Sequence, residues 1–189
     1  MLIRTATQSD CSDIAELHAS SWRSAYRGAL SDEYLAGDVV SERRQLWESR
    51  LAEPAEHQHV FVVTHEDHLI GFASLYGNEN GQWGSFLNNI HVAQAVQGRG
   101  VGASLLHATA KLCAQLYGEA GLYLWVVQSN TKAQAFYTRY GARNAEADVW
   151  HAPGGTIAPL FRFAWENPRM LQEATANPSF KRTCLRHAA

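Results

Sequence analysis

The chain has 189 residues, 46% apolar and 18% charged, the composition of one ordinary domain folded round a core, which excludes disorder along its whole length. Its 16 basic residues stand against 18 acidic ones, a formal charge of -2, so the bulk electrostatics favour neither a nucleic acid nor a membrane surface as partner. No apolar run approaches the roughly 18 residues that a bilayer crossing needs, and the opening Met1-Leu2-Ile3-Arg4-Thr5 lacks the regions of an export signal, which reads as cytoplasmic.

The predicted elements begin with a short strand over residues 2–6. Ser9, followed by Asp10, Asp13 and Glu16, marks a capped, acidic first helical turn leading into Ile14, Leu17 and His18. Trp22, Tyr26 and Leu30 continue the apolar spacing to a break near Gly28, and residues 41–51 form a second, charged helix. Residues 59–64 and 69–76 read as strands joined at Glu66-Asp67, hence an antiparallel hairpin. His65 and His68 flank that turn and read as solvated. A polar loop over 77–81 precedes a strand over 83–92 and a helix over 100–117, with Val101, Leu105, Ala108, Leu112, Cys113 and Leu116 on one side.

Residues 122–127 are a continuous apolar run with the pattern of a strand buried on both faces. A short helix over 131–140 ends at Gly141, and a last hairpin, 142–150 with 156–165, turns around Pro153-Gly154-Gly155. The order predicts a mixed α/β sheet in a single domain. Cys11, Cys113 and Cys184 are scattered, in no CxxC or Cys/His arrangement, so neither a disulfide framework nor a metal site is expected; Cys113 reads as a core residue. Charge divides the chain near residue 166: 12 basic and 17 acidic residues up to Glu166, 4 basic and 1 acidic after it. Residues 1–166 are therefore read as the domain, and 167–189, with Asn167-Pro168 and Asn177-Pro178 as turn formers, as a flexible or partner-docked basic tail.

The stretch richest in chemistry joins a strand to a long helix through Gln97, Gly98, Arg99, Gly100, Val101 and Gly102. Glycines at alternate positions let the backbone turn and present N–H groups outward, with the positive end of the helix dipole behind them, which suits a phosphate or pyrophosphate. The spacing GxGxG fits neither a Walker loop, which needs a lysine where Ala103 stands, nor the dinucleotide fingerprint GxGxxG.

Gln97, Gly100 and Gly102 match the pattern Gln/Arg-x-x-Gly-x-Gly/Ala, and here the chain resembles the GNAT superfamily of N-acetyltransferases. The preceding Leu87-Asn88-Asn89-Ile90-His91-Val92 is similar to that family's fourth strand. The run from Asn130 through Ala133, Phe136 and Tyr137 to Gly141-Ala142 resembles its Asn-x-x-Ala-x-x-Phe-Tyr-x-x-x-Gly-Phe segment, with Ala142 replacing the aromatic. The resemblance spans residues 2–165 and implies a mostly antiparallel twisted sheet splayed between its fourth and fifth strands.

It further implies acetyl transfer from acetyl-CoA, as co-substrate, to an amine in a ternary complex. The backbone of residues 97–102, with Arg99, would hold the pyrophosphate; Ile90, His91 and Val92 would pair with pantetheine amides as an added strand; Asn130 would bond the pantetheine arm; and Tyr137 would donate to the leaving thiolate. Many relatives carry a basic glutamate where Asn88 and Asn89 stand. His91, or a water held by the asparagines, is then the candidate base. Alternation puts Asn89 with His91 on one face and Asn88 with Ile90 on the other, unless a bulge intervenes.

Trp22-Arg23-Ser24-Ala25-Tyr26-Arg27-Gly28 resembles a segment of a bacterial subset, and Trp22 and Tyr26, four apart on one helix face, are either core packing or acceptor contacts; Glu33, in the same region, could bind a cationic amine, and Asn89 on the fourth strand is a further candidate contact. Polyamine, aminoglycoside, amino acid and protein N-terminus all remain open as small-molecule or protein amine acceptors, a homodimer is compatible with the family, and a non-catalytic acyl-CoA sensor is the alternative reading.

Overall fold

In the computed structural model, which describes residues 1–176, β1 (Leu2–Thr5) leads through a 3-10 turn at Gln8–Asp10 into α1 (Cys11–Ala25). The helix entry is fixed by Thr7 and Asp10 rather than by Ser9. The Asp10 carboxylate accepts the Thr7 N–H at 2.7 Å and both Arg4 terminal nitrogens at 2.7 Å, and the Arg4 guanidinium holds its carboxyl down to about 2. Ile14, Ala15, His18, Ala19 and Trp22 fall on the buried stripe of α1.

Two helices follow, each capped by a side chain. Ser31 Oγ accepts the Tyr34 N–H at 3.2 Å to start α2 (Asp32–Ala36), and Asp38 accepts the Ser41 N–H at 3.0 Å to start α3 (Val39–Ala52). The expected hairpin is β2 (Gln58–His65) with β3 (His68–Asn80), turning at Glu66 and Asp67, both with positive φ (49° and 62°), the pair that matches strand twist. The polar segment 77–81 is not a loop as expected: β3 runs on to Asn80. The Gly77 N–H bonds the His57 carbonyl at 2.9 Å and the Asn78 N–H bonds Ser85 Oγ at 3.2 Å, so partners outside a regular ladder hold this stretch, in which Asn78 takes a φ of +49°.

The chain continues with β4 (Gly84–Val92), a 3-10 turn at Gln94–Val96, α4 (Val101–Leu116), β5 (Leu122–Val127), α5 (Thr131–Arg139), β6 (Arg143–His151), β7 (Ile157–Trp165) and α6 (Pro168–Ala176). The described strands form one sheet in the order β1-β2-β3-β4-β5-β7-β6, antiparallel throughout except where β4 meets β5. This is the mixed α/β sheet that the pattern of elements predicts. One face carries α4, α5 and α6 over a core that includes Leu75, Leu87, Leu105, Leu106, Leu122, Leu124 and Phe163. The other carries α1 and α3 over Ile14, Trp47, Val62 and Phe72. Cys113 lies in the first core, where burial pushes its thiol up to about 11, and Cys184 lies outside the described residues.

The segment after Glu166 departs from the expected tail. Asn167 Oδ1 accepts the Arg169 N–H at 2.8 Å, Pro168 takes the first helical position, and Pro168, Leu171 and Ala174 turn inward. Leu171 is fully buried in the main core, and His107 of α4 donates through Nδ1 to the Gln172 carbonyl at 3.2 Å. The packed part therefore extends to Ala176. The remainder of the expected tail, 177–189, lies outside the described residues. Among those residues no helix is long and apolar enough to cross a membrane.

Candidate active site

β4 and β5 are paired only at Ser85 with Leu122 and Phe86 with Tyr123, after which they part. At the point of parting β4 carries a bulge: Ser74 of β3 pairs with Asn89 while Leu75 pairs with Leu87, leaving Asn88 as the extra residue. The bulge overrides simple alternation. Asn88 and Asn89, which alternation alone would put on opposite faces, both reach Arg50 of α3, whose Nη1 donates to Asn88 Oδ1 at 3.2 Å and to Asn89 Oδ1 at 3.4 Å.

The gap is an open cleft of about 690 Å³, walled by β4 from Leu87 to Val92, by the opposite edge of β5, by the start of α5 and by the end of α1. Ile90, His91 and Val92 border it along a strand edge that β5 no longer covers. Of the expected loop residues, Gln97, Gly98, Gly100 and Gly102 border it too. Arg99 is exposed away from the cleft, and the Val101 side chain is buried in the core, where it anchors α4.

Gly98 and Gly100 have φ of +80° and +91°, and no atom lies within 4 Å of where a Cβ would stand, so the loop is left-handed and open on its outer side. Gly102 serves otherwise: a Cβ there would come 3.1 Å from the Phe136 ring, so its absence lets α4 and α5 approach. The N–H groups of Val101, Gly102 and Ala103, in the first turn of α4, have no intrahelical acceptor and carry the positive end of its dipole.

Gln97 ties this loop down. Its Nε2 donates to the Val92 carbonyl at 3.1 Å and its Oε1 accepts from Lys132 Nζ at 2.7 Å, joining the end of β4 to α5. Lys132 also borders the cleft and was not singled out from the sequence, although it stands between two of the motif positions that were. Asn130 caps α5, its Oδ1 accepting the Ala133 N–H at 3.0 Å, which leaves the amide nitrogen for the cleft. Tyr137, one helical turn short of Tyr140, borders the cleft from the core side. Its ring packs near Phe163 and Trp165, and burial pushes its phenol well up, with Tyr26 adding to the effect.

On the other wall, Tyr26 borders the cleft and packs edge-on to Trp22 and Trp150; burial pushes its phenol up to about 12. Trp22 does not reach the cleft. It is buried with Leu30, Leu35 and Val39, and the Arg43 guanidinium lies 4.3 Å over its ring. Glu33 is exposed on α2, also away from the cleft.

His91 lies against Phe72 and against His18 of α1, with ring centroids 5.1 and 4.8 Å away, and burial holds its imidazole down to about 4. That weakens it as a base, because a group so hard to protonate takes little from an ammonium ion. His18, which the apolar spacing places on the inward stripe of α1, is fully buried; its Nδ1 accepts the Trp47 indole N–H at 3.0 Å, so its own proton is on Nε2. Together the cleft offers an anion-binding loop, an unpaired strand edge able to hydrogen-bond an extended chain of amides, and a phenol at its core end.

The family model described as the acetyltransferase (GNAT) family matches residues 11–142. The chain belongs to that family. As a GNAT member it is an acyltransferase, and relatives carry names of the same class. It is 28% identical over 155 residues to an uncharacterized N-acetyltransferase, YuaI, of Bacillus subtilis (strain 168), covering 80% of this chain and 86% of that one. It is 32% identical over 93 residues to a spermine/spermidine N(1)-acetyltransferase of the same organism, over 44% of this chain and 59% of that one. Among solved structures it matches PaiA N-acetyltransferase from Thermoplasma acidophilum in complex with coenzyme A, at a TM-score of 0.67 and 18% identity, covering 87% of this chain and 98% of that one. The GNAT sheet, with its single parallel contact between β4 and β5, is the arrangement expected from the resemblance.

Proposed function

We propose that this GNAT enzyme transfers an acetyl group from acetyl-CoA to a primary amine, by direct attack within a ternary complex. The observation that carries the reading is the parting of β4 from β5 onto the loop of Gln97, Gly98, Gly100 and Gly102, with Tyr137 at the inner end. The residues fit the co-substrate. The open glycine backbone and first turn of α4 suit its pyrophosphate, with Lys132 adding a cation, and the uncovered edge at Ile90, His91 and Val92 suits the pantetheine amides. The Asn130 amide nitrogen, free of its capping bond, supplies a further donor.

The amine nitrogen attacks the thioester carbonyl carbon, the C–S bond breaks, the nitrogen sheds one proton and the thiolate ends as a thiol. Tyr137 stays protonated because it is desolvated, which suits a hydrogen-bond donor to the developing thiolate better than a group that surrenders its proton outright. Burial makes His91 a weak base, about as basic as a carboxylate, which favours an amine that enters already neutral.

Release of CoA thiol from acetyl-CoA across a panel of amines tests the reading. Binding of acetyl-CoA without thiol release on any amine would establish a sensor instead. At saturating acetyl-CoA, Tyr137→Phe is expected to lower kcat by about 100-fold, within the range for proton-transfer and hydrogen-bond catalysis. Unchanged turnover would remove Tyr137 from the mechanism.

A further inference from the structure

The side of the cleft beside the β4 bulge carries no carboxylate. None of the residues bordering the cleft is an aspartate or glutamate, and residues 177–189 contain none to contribute. Where the β4 bulge meets that side, the polar groups are the Asn88 and Asn89 amides, and Arg50 fixes their orientation. A guanidinium has no acceptor atom, so the amide atoms it meets at 3.2 and 3.4 Å are oxygens and both Nδ2 groups turn away from it. His18 cannot absorb them: Trp47 occupies its Nδ1, its Nε2 carries a proton, and the 3.5 Å approach between Asn89 Nδ2 and His18 Nε2 is donor against donor. Arg50 itself, half-buried and lying over Trp47 and Tyr76, makes none of the ion pairs found among the described residues.

Such a surface offers an ammonium ion no counter-charge, but its two amide N–H groups can receive an oxygen. We infer that the acceptor is an α-aminoacyl group, an amine one carbon from an amide carbonyl, whose oxygen is taken by the Asn88 and Asn89 N–H groups that Arg50 holds in place. The inference rests on the acetyl-transfer reading and narrows its acceptor. It also suits a site whose imidazole is only a weak base. The α-amino group of a peptide has a pKa near 7.8 against about 10.4 for a lysine amine, so at pH 7 its neutral fraction is roughly 300-fold larger and no strong base is needed. A polyamine, cationic at every nitrogen, meets neither a counter-charge nor a strong base.

The test is kcat/KM at pH 7 with the full chain, acetyl-CoA and five acceptors: a tetrapeptide with a free N-terminus, alaninamide, free alanine, Nα-acetyl-lysine amide and spermidine. The tetrapeptide or alaninamide is expected to exceed the last three by at least 100-fold, a gap to which the neutral-fraction difference and the oxygen contact both contribute. Activity on both points to a polypeptide N-terminus, and activity on alaninamide alone to a small aminoacyl amide; either supports the inference. Spermidine or the lysine amine matching the peptide overturns it while leaving acetyl transfer standing. No transfer to any of the five, with acetyl-CoA still bound, overturns this inference, and thiol release across the wider amine panel then decides acetyl transfer separately.

Arg50 is a positioning residue, and its variants separate positioning from folding. Arg50→Met is expected to raise the acceptor KM about tenfold while the acetyl-CoA KM stays put, as for loss of hydrogen bonds to a charged group, and Arg50→Lys to recover part of it. Equal changes in both KM values, or none in either, overturn the assignment. Asn89→Asp gives Arg50 a counter-charge and the cleft an acceptor, and is expected to narrow the peptide-to-lysine ratio at least tenfold; an unchanged ratio counts against it.

Discussion

Leu171→Ala measures how far α6 belongs to the domain. Leu171 is fully buried in the core shared by the sheet and α4, with Pro168 and Ala174 beside it on the same inward face. Cutting a buried leucine to alanine in a rigid core costs about 3 kcal/mol, from lost transfer free energy plus the cavity left behind. For a chain of this size each kcal/mol shifts Tm by about 2–4 °C, so the melting point is expected to fall by roughly 6–12 °C. Truncation after Glu166 is expected to do at least as much, since it also uncovers α4 and removes the acceptor of the His107 bond.

Thermal melts followed by far-UV circular dichroism, with urea midpoints as a second measure, would read the change. No residue of α6 borders the cleft, so ligand affinity of the folded variant well below its melting point should match that of the unmodified protein. A truncated protein melting within about 2 °C of the full chain would refute the reasoning and return residues 167–176 to an appendage.

Three other perturbations have definite signs. His91, held at about 4 in the fold against an ordinary value near 6.5, binds a proton more readily when unfolded, so its contribution of about 3 kcal/mol is intact above pH 6.5 and is lost as pH falls through 4; urea midpoints should drop across that window and His91→Phe should flatten the slope, whereas an unaltered slope would show that His91 does not cause it. Asp10→Asn strips the carboxylate that binds Arg4 and the Thr7 N–H, and should cost about 1–2 kcal/mol at pH 7 by denaturant titration, with no difference from the parent below pH 2. Gly154→Ala and Gly155→Ala both force a side chain to positive φ, but only at Gly154 would the Cβ meet another side chain, 2.9 Å from Tyr34 Cβ, so Gly154→Ala should be the worse by about 1 kcal/mol; equal losses would mean that Tyr34 moves aside.

The alternation of apolar patterns was enough to read the strands, the long helix α4 and both hairpins, because each buries a face whose period is visible in the residues. The β3 extension to Asn80 was not visible, since Gly77, Asn78, Glu79 and Asn80 show no apolar alternation and are held by hydrogen bonds to His57 and Ser85 and by the close packing of Gly77 against Tyr117. At α6 the sequence carries one signal with two opposite senses. Asn167-Pro168 breaks a preceding element, but an asparagine cap followed by proline at the first helical position is equally a beginning, and the spacing of Pro168, Leu171 and Ala174 is helical. In the site, local motifs reveal the loop and α5, while Trp22, on one helix face with Tyr26, takes the core-packing alternative and Glu33, next to it in sequence, does not reach the cleft. Arg50 could not have been picked out: it meets residues 38 and 39 positions away, and only after a bulge brings the two asparagines together.

That bulge and the parting of the strands are one event. A bulged strand bends and twists more strongly than a regular one, and Asn88 is inserted two residues after Phe86, whose pairing with Tyr123 is the last between β4 and β5. The two rings stack at 5.0 Å with only 17° between their planes, and the Arg162 guanidinium lies 4.8 Å over Tyr123 from β7, so the strands are clamped where they still meet. A clamp on one side of the insertion and a bend on the other leave β4 free to diverge only toward Val92, the end where the glycine loop begins. The extra residue that opens the cleft is thus also the one that turns a second amide toward Arg50, so the width of the site and the chemistry of its floor have a common cause in Asn88.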